Sequence, residues 1–238
     1  MKPSDFRVKS LDGVADDWPI SYFDLAEYFE INDRMMGVSG LAGDPAYPPR
    51  AEREFHPLPI GIGAQRIAQA YERLGYHWWP VDAAITNGQK GVRKGCNNCG
   101  PCDLGCPRGS RASVDLAYWP EAMAAGAELI TEAAVQRIIT KQNKVTGVEY
   151  IDANGNTQTL NAANVVLASN GIGTARLLLL SAAADCPSGL ANSSDQVGRN
   201  LMHHPTALVT GVFDEYVDGF KGPFAVSIYS QEFYETDT

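Results

Sequence analysis

Asn164 to Ser169, NVVLAS, is a continuous apolar run, and it leads straight into Asn170-Gly171-Ile172-Gly173 and then TARLLLLS. A strand with one face in water alternates apolar and polar residues. An unbroken run instead reads as a strand buried on both faces of a parallel sheet. The glycine turn is followed by a helix expected to start near Thr174. A buried strand, a glycine turn and a helix N-terminus together form a site for a phosphate or the edge of a cofactor. The fold class this implies is α/β. Taken alone the turn is weak, because Gly171 and Gly173 make only G-x-G. The full G-x-G-x-x-G occurs nowhere in the chain, and GIGAQR at Gly61 has no strand before it.

The residues before this turn read as a meander. AELITEA, AVQRIIT and KVTGVEYID are short runs rich in β-branched residues, and Asp152-Ala153-Asn154-Gly155 before TQTL implies a hairpin. Further upstream, Ser21 and Asp24 resemble a capping box opening a helix that carries Leu25, Tyr28, Phe29 and Met36. GLAGDPAYPPRAEREFHPLP is an extended connection rich in Gly and Pro. Ile67, Ala70, Tyr71 and Leu74 mark one face of a short helix that Gly75 stops. Val114 to Ala125 reads as a helix, or as a turn and a helix restarted at Pro120. His77, in the apolar segment HWWPVDAAI, reads as a core or pocket-wall residue rather than a ligand.

Four of the five cysteines stand in one loop, GCNNCGPCDLGCPRGSRAS. Cys96, Cys99, Cys102 and Cys106 are spaced C-x2-C-x2-C-x3-C, followed by Pro107, which matches the bacterial ferredoxin run. Gly95, Gly100, Gly105 and Gly109 let such a loop wrap. Three explanations stay open: an iron–sulfur cluster, structural zinc, or free thiols. Zinc is better matched by C-x-x-C pairs set apart by a longer spacer. Cys186, far from the loop, reads as an inert thiol.

The formal charge is −9, with no long basic cluster, so nucleic acid and anionic membrane surfaces are poor partners. No window holds the ~18 uninterrupted apolar residues of a membrane helix. MKPSDFRVKSLDG has no hydrophobic stretch that could act as a signal peptide, so the chain as given reads as cytoplasmic. A true N-terminus further upstream would leave a periplasmic location open.

The order C-x-x-G-C-P-x-G, a helix, GAELITEAAVQRI, VTGVEY, a hairpin, VVLASNGIGTARLLLLS and VGRNLMHHP resembles the central part of the glucose–methanol–choline (GMC) oxidoreductases. DWPISYFDLAEYFE with GVSG is similar to the bacterial branch of gluconate- and sugar-dehydrogenase flavoproteins. The resemblance implies part of an FAD-binding domain of the two-dinucleotide type, with a β-meander, plus segments of an α+β substrate domain. It divides the chain into a substrate-side segment, 1–94, an FAD-binding portion, 95–204, that includes the loop 95–113, and the start of a substrate-domain sheet, 205–238. It places Val135 against the adenine, and Ala168, Ser169, Asn170, Gly171 and Thr174 under the pyrophosphate and flavin.

Asn170 stands where the family often has glycine; Asn is the residue best able to take its place in a left-handed turn. Ala175 replaces the usual proline. The implied activity is oxidation of a CH–OH group of an alcohol, sugar or sugar acid. A base takes the hydroxyl proton while hydride passes to the flavin. An electron-acceptor protein or a quinone is the implied partner. Some relatives hold an iron–sulfur cluster in such a loop, which implies that Cys96, Cys99, Cys102 and Cys106 bind one here. The family's catalytic His falls beyond Thr238, so no catalytic residue is assigned, and the chain is expected to be a central fragment, inactive alone. His203 and His204 match a structural N-L-x-x-H-P turn. The rival is a non-catalytic iron–sulfur or zinc module for electron transfer or interaction.

Overall fold

In the computed structural model, which describes residues 1–223 and 227–235, a capping box starts the longest helix. After a short helix α1 (Val8–Asp12), helix α2 runs Tyr22–Met36. Ser21 Oγ accepts from the Asp24 amide at 3.4 Å, and Asp24 Oδ2 accepts from the Ser21 amide at 2.8 Å. Two otherwise orphaned donors are thereby satisfied. Gly37 ends the helix in the left-handed conformation, at φ 65°.

Helix α3 (Ile62–Leu74) is likewise stopped by Gly75, but its expected inner face is not inside. Ile67 is 46% and Leu74 62% exposed, while Ala68 is buried. Periodicity located the helix correctly but not the side on which it makes contact. Pro120 separates α4 (Val114–Ala117) from α5 (Trp119–Ala124), because a proline nitrogen cannot continue the ladder but suits a first turn.

Strand β1 (Trp79–Pro80) pairs antiparallel with β5 (Ile228–Tyr229). A second sheet has the order β2 (Ala134–Lys141), β3 (Lys144–Ile151), β4 (Thr157–Asn161), all antiparallel. Gln142 and Asn143, both at positive φ, make the first tight turn. In the second, Asp152 Oδ1 accepts from the Asn154 and Asn156 amides at 2.9 Å. AELITEA does not form a strand of its own, and pairing begins at Ala134.

Helix α6 (Asn170–Leu180) contacts β2, and Leu177 of the helix and Ile138 of the strand are both buried. Ser181, 2% exposed, joins the two elements. Its Oγ accepts from the Ile138 amide at 2.8 Å and donates to the Leu177 carbonyl at 2.6 Å. Ser181→Ala leaves that amide buried without its acceptor, and is expected to cost about 1–3 kcal/mol in chemical denaturation.

The run NVVLAS departs from expectation. Among the described residues Asn164–Ala168 pairs with no strand, and Val166 is 89% exposed rather than buried. A strand exists only through its ladder, so the same residues without a neighbour remain extended but irregular. The structure is thus a mixture of helix and strand whose described sheets are antiparallel.

Two compact units divide the chain, Met1–Ala127 with Gly211–Thr238, and Glu128–Thr210. The cysteine loop clusters with the first unit. Within 205–238, the stretches 224–226 and 236–238 lie outside the described residues.

Candidate functional site

The Glu128–Thr210 unit carries the glycine turn. Asn170 has φ 58°, the left-handed value that Asn tolerates and most side chains do not. Its Oδ1 accepts from the Gly173 amide at 2.9 Å, which is the bond an N-cap makes. This side-chain bond explains why the helix starts at Asn170 and not near Thr174. Capping by Asn170 leaves the other first-turn amides at the helix start for an anion. Nothing stands within 4 Å of where a Gly171 Cβ would be, so a ligand can approach that backbone closely.

Ala168, Asn170, Gly171 and Thr174 share the wall of one open concavity with Val197 and Gly198. Ser169 is not part of that wall; it precedes the helix, with its Cβ 3.1 Å from where a Gly173 Cβ would be. Val135 lies apart on β2, opposite Tyr150 and 40% exposed. The concavity therefore gathers four of the six residues expected to meet the cofactor. Val197 and Gly198 open the VGRNLMHHP motif, but they were not anticipated as part of the site.

In the other unit, the cysteine loop is pinned at both ends to residues 84–86. The Cys96 amide donates to the Thr86 carbonyl at 2.8 Å, Thr86 to Ser110 at 3.0 Å, and Ala112 to Ala84 at 2.7 Å. Ser110, 1% exposed, donates from Oγ to the Lys94 carbonyl at 2.6 Å. Between these anchors, Cys96, Cys99, Cys102 and Cys106 line a single concavity. All four are free thiols. Among the described residues, no three His, Cys, Asp or Glu side chains converge where one ion could be held. The thiols differ electrostatically. Burial pushes Cys96 up. Burial also acts on Cys106, but the amides of Arg111, Arg108 and Ser110 bond to its sulfur and bring it below the ordinary thiol value.

The same unit holds a cavity of about 540 Å³ that no motif announced. Tyr22, Phe29, Asn32 and Asp33 of α2 form one side; Asp44, Tyr47, Arg50 and Arg53 another. Arg50 pairs with Glu30 at 3.1 Å and Asp33 at 2.7 Å, and Arg53 with Asp82 at 2.6 Å. Burial raises Asp33 despite both guanidiniums.

His77 is a brace. Its Nδ1 accepts from the Gln231 amide at 2.9 Å, which leaves the proton on Nε2, 2.9 Å from Asp44 Oδ1. Asp44 also accepts from the Tyr229 hydroxyl and the Ala46 amide. Burial works against the Asp44 charge, but these donors hold its pKa below 3.8. The brace joins residues 185 positions apart, Asp44 and Tyr229, a closeness that no local signal in the sequence could reveal.

Asp44→Asn removes the charge from these bonds and is expected to cost about 2–3 kcal/mol, freeing 227–235 for proteolysis. Because the folded carboxyl binds its proton less readily than the unfolded one, its contribution is complete well above 3.8. It is lost as the pH falls through the lower folded value. Acid titration of wild type should show that loss, and Asp44→Asn should lack it.

Residues 53–206 match the family model described as GMC oxidoreductase. The chain is similar to 2-methyl-1,2-propanediol dehydrogenase of Mycolicibacterium austroafricanum, 44% identical over 100% of this chain and 44% of that protein. It is also similar to the fructose dehydrogenase large subunit of Gluconobacter japonicus, 35% identical over 85% of this chain and 38% of that protein. A third relative is the gluconate 2-dehydrogenase flavoprotein of Pantoea cypripedii, 30% identical over 84% of this chain and 36% of that protein. The chain spans less than half the length of each of the three.

Proposed function

From the premise that this chain belongs to the GMC oxidoreductase family, we propose that it serves an FAD-dependent dehydrogenase that oxidises a CH–OH group. The substrate class is an alcohol, sugar or sugar acid, in keeping with the diol, fructose and gluconate in the names of its relatives. The observation that carries the reading is Asn170, left-handed at the start of α6, with Ala168, Gly171 and Thr174 around one concavity. When bound, FAD accepts the hydride. The chain's own part is to receive the cofactor's phosphates on the α6 amides and Gly171 backbone, with Ser169 setting the turn and Val135 meeting the adenine. A proton acceptor for the substrate hydroxyl is not assigned to any residue here.

The cysteine loop is proposed to hold an iron–sulfur cluster through Cys96, Cys99, Cys102 and Cys106. A single zinc ion needs its thiolates about 2.3 Å from one point. A cluster presents separate irons to separate thiolates. The ferredoxin-type spacing of four thiols that line one concavity supports the cluster reading. Electrons would then leave singly to an acceptor protein or a quinone.

The visible spectrum and metal content of the full-length gene product, made anaerobically with iron, test this reading. A flavin band with iron and sulfide supports both cofactors, and a flavin band alone keeps the dehydrogenase without a relay. Iron without flavin would favour the non-catalytic electron-transfer module instead.

A further inference from the structure

Arg93 enters the cysteine loop as a buried cation. It is 4% exposed, and its guanidinium donates only to carbonyls: Met36 at 2.9 Å, Ser110 at 3.0 Å and Gly109 at 3.2 Å. Among the described residues no carboxylate pairs with it within 4 Å, although Arg50 and Arg53 in the same unit are both paired. A buried guanidinium without an anion is costly, so a counter-charge is expected close by. The surrounding sequence deepens the imbalance. From Arg93 to Arg111 the cations are Arg93, Lys94, Arg108 and Arg111, against Asp103 alone, in a chain of net charge −9. Arg108 donates to the Gly95 carbonyl at 3.0 Å and Arg111 to the Cys102 carbonyl at 2.6 Å, so two further cations clamp the loop itself. Burial draws Arg93 below the usual guanidinium range; the charges opposing that are Glu54 and the Cys106 sulfur.

We infer that Arg93 is the internal counter-charge of an anionic thiolate centre in this loop, and that it biases that centre towards its reduced form. The inference rests on the iron–sulfur reading above. Neutral thiols or disulfides would leave the cation only the more distant Glu54 charge, which forms no ion pair with it, whereas thiolates bound to iron and sulfide carry net negative charge. Adding one electron, with no proton, adds one unit of negative charge, which a fixed cation nearby favours. Arg93 is therefore a positioning and tuning residue, not a ligand.

The test is a mediated redox titration followed by EPR on the full-length gene product, with iron and sulfide assayed separately. Arg93→Met is expected to keep its iron and shift the midpoint to lower potential, with Arg93→Lys closer to wild type. Because Arg93 also ties Met36, Gly109 and Ser110 together, Arg111→Gln serves if Arg93→Met does not fold. Arg111 is about half exposed, and its loss should give a smaller shift of the same sign. Wild-type iron with unchanged midpoints in the folded variants would overturn the tuning role while leaving the cluster. Wild type without iron, or with zinc, would overturn the cluster reading and this inference together.

Discussion

Asn170→Val is expected to strip flavin from the full-length gene product, while Asn170→Gly retains most of it. The native residue sits at φ 58°, where a β-branched side chain is strained by about 1–3 kcal/mol. Valine also removes the bond from the Gly173 amide, a cap of about 1 kcal/mol. Together these unwind the first turn of α6 and withdraw the amides proposed to meet the cofactor's phosphates. Glycine loses the cap but keeps the backbone path. Asn170→Asp separates stability from binding. It keeps the cap and places a negative charge at a helix N-terminus, which favours the helix by about 0.3–1 kcal/mol. The same charge repels a pyrophosphate there. Aspartate should therefore raise thermal stability and lower flavin content together. Flavin occupancy, read as the ratio of visible to protein absorbance, checks all three variants; equal occupancy would remove the cofactor from this turn.

The second large effect is expected of the 238-residue chain produced by itself, which should bind a hydrophobic dye strongly, self-associate and unfold without a sharp transition. Its accessible surface is 16716 Å². A compact protein of 25.7 kDa exposes about 10,400 Å², and even two separate compact units would expose about 12,500 Å². The excess contains apolar side chains: Val166, Met202, Leu208, Val209 and Val212 are each at least 86% exposed. Such surface, beside the unpaired backbone of Asn164–Ala168, invites pairing with other chains. Size-exclusion chromatography and differential scanning calorimetry are the measurements. A monomer with a single sharp transition would contradict the expectation.

The elements legible in the sequence are those whose cause is local. Ser21 with Asp24 opens α2, Gly37 and Gly75 close helices, Pro120 restarts α5, and Asp152 to Gly155 turns the meander. Each rests on one side chain bonding to a neighbouring amide, or on one backbone angle, and a few residues carry that information. Asn170 belongs with them, since its left-handed turn depends on its own amide side chain. Family membership was legible too, because the order of motifs survives in the chain without reference to any contact.

What only the tertiary structure decided is what depends on partners far away in sequence. NVVLAS has the composition of a buried strand but no ladder among the described residues, and burial is a property of neighbours rather than of the run itself. The inner face of α3 fell to Ala68 for the same reason. The Asp44–His77–Tyr229 brace and its cavity join segments with no common motif. The cysteine spacing suggested a metal, yet whether thiols share a wall, and whether a guanidinium beside them lacks a carboxylate, depends on charge and distance in three dimensions. A side chain's partners are set by the folded path of the whole chain, and that path alone made Arg93 more than one arginine among many.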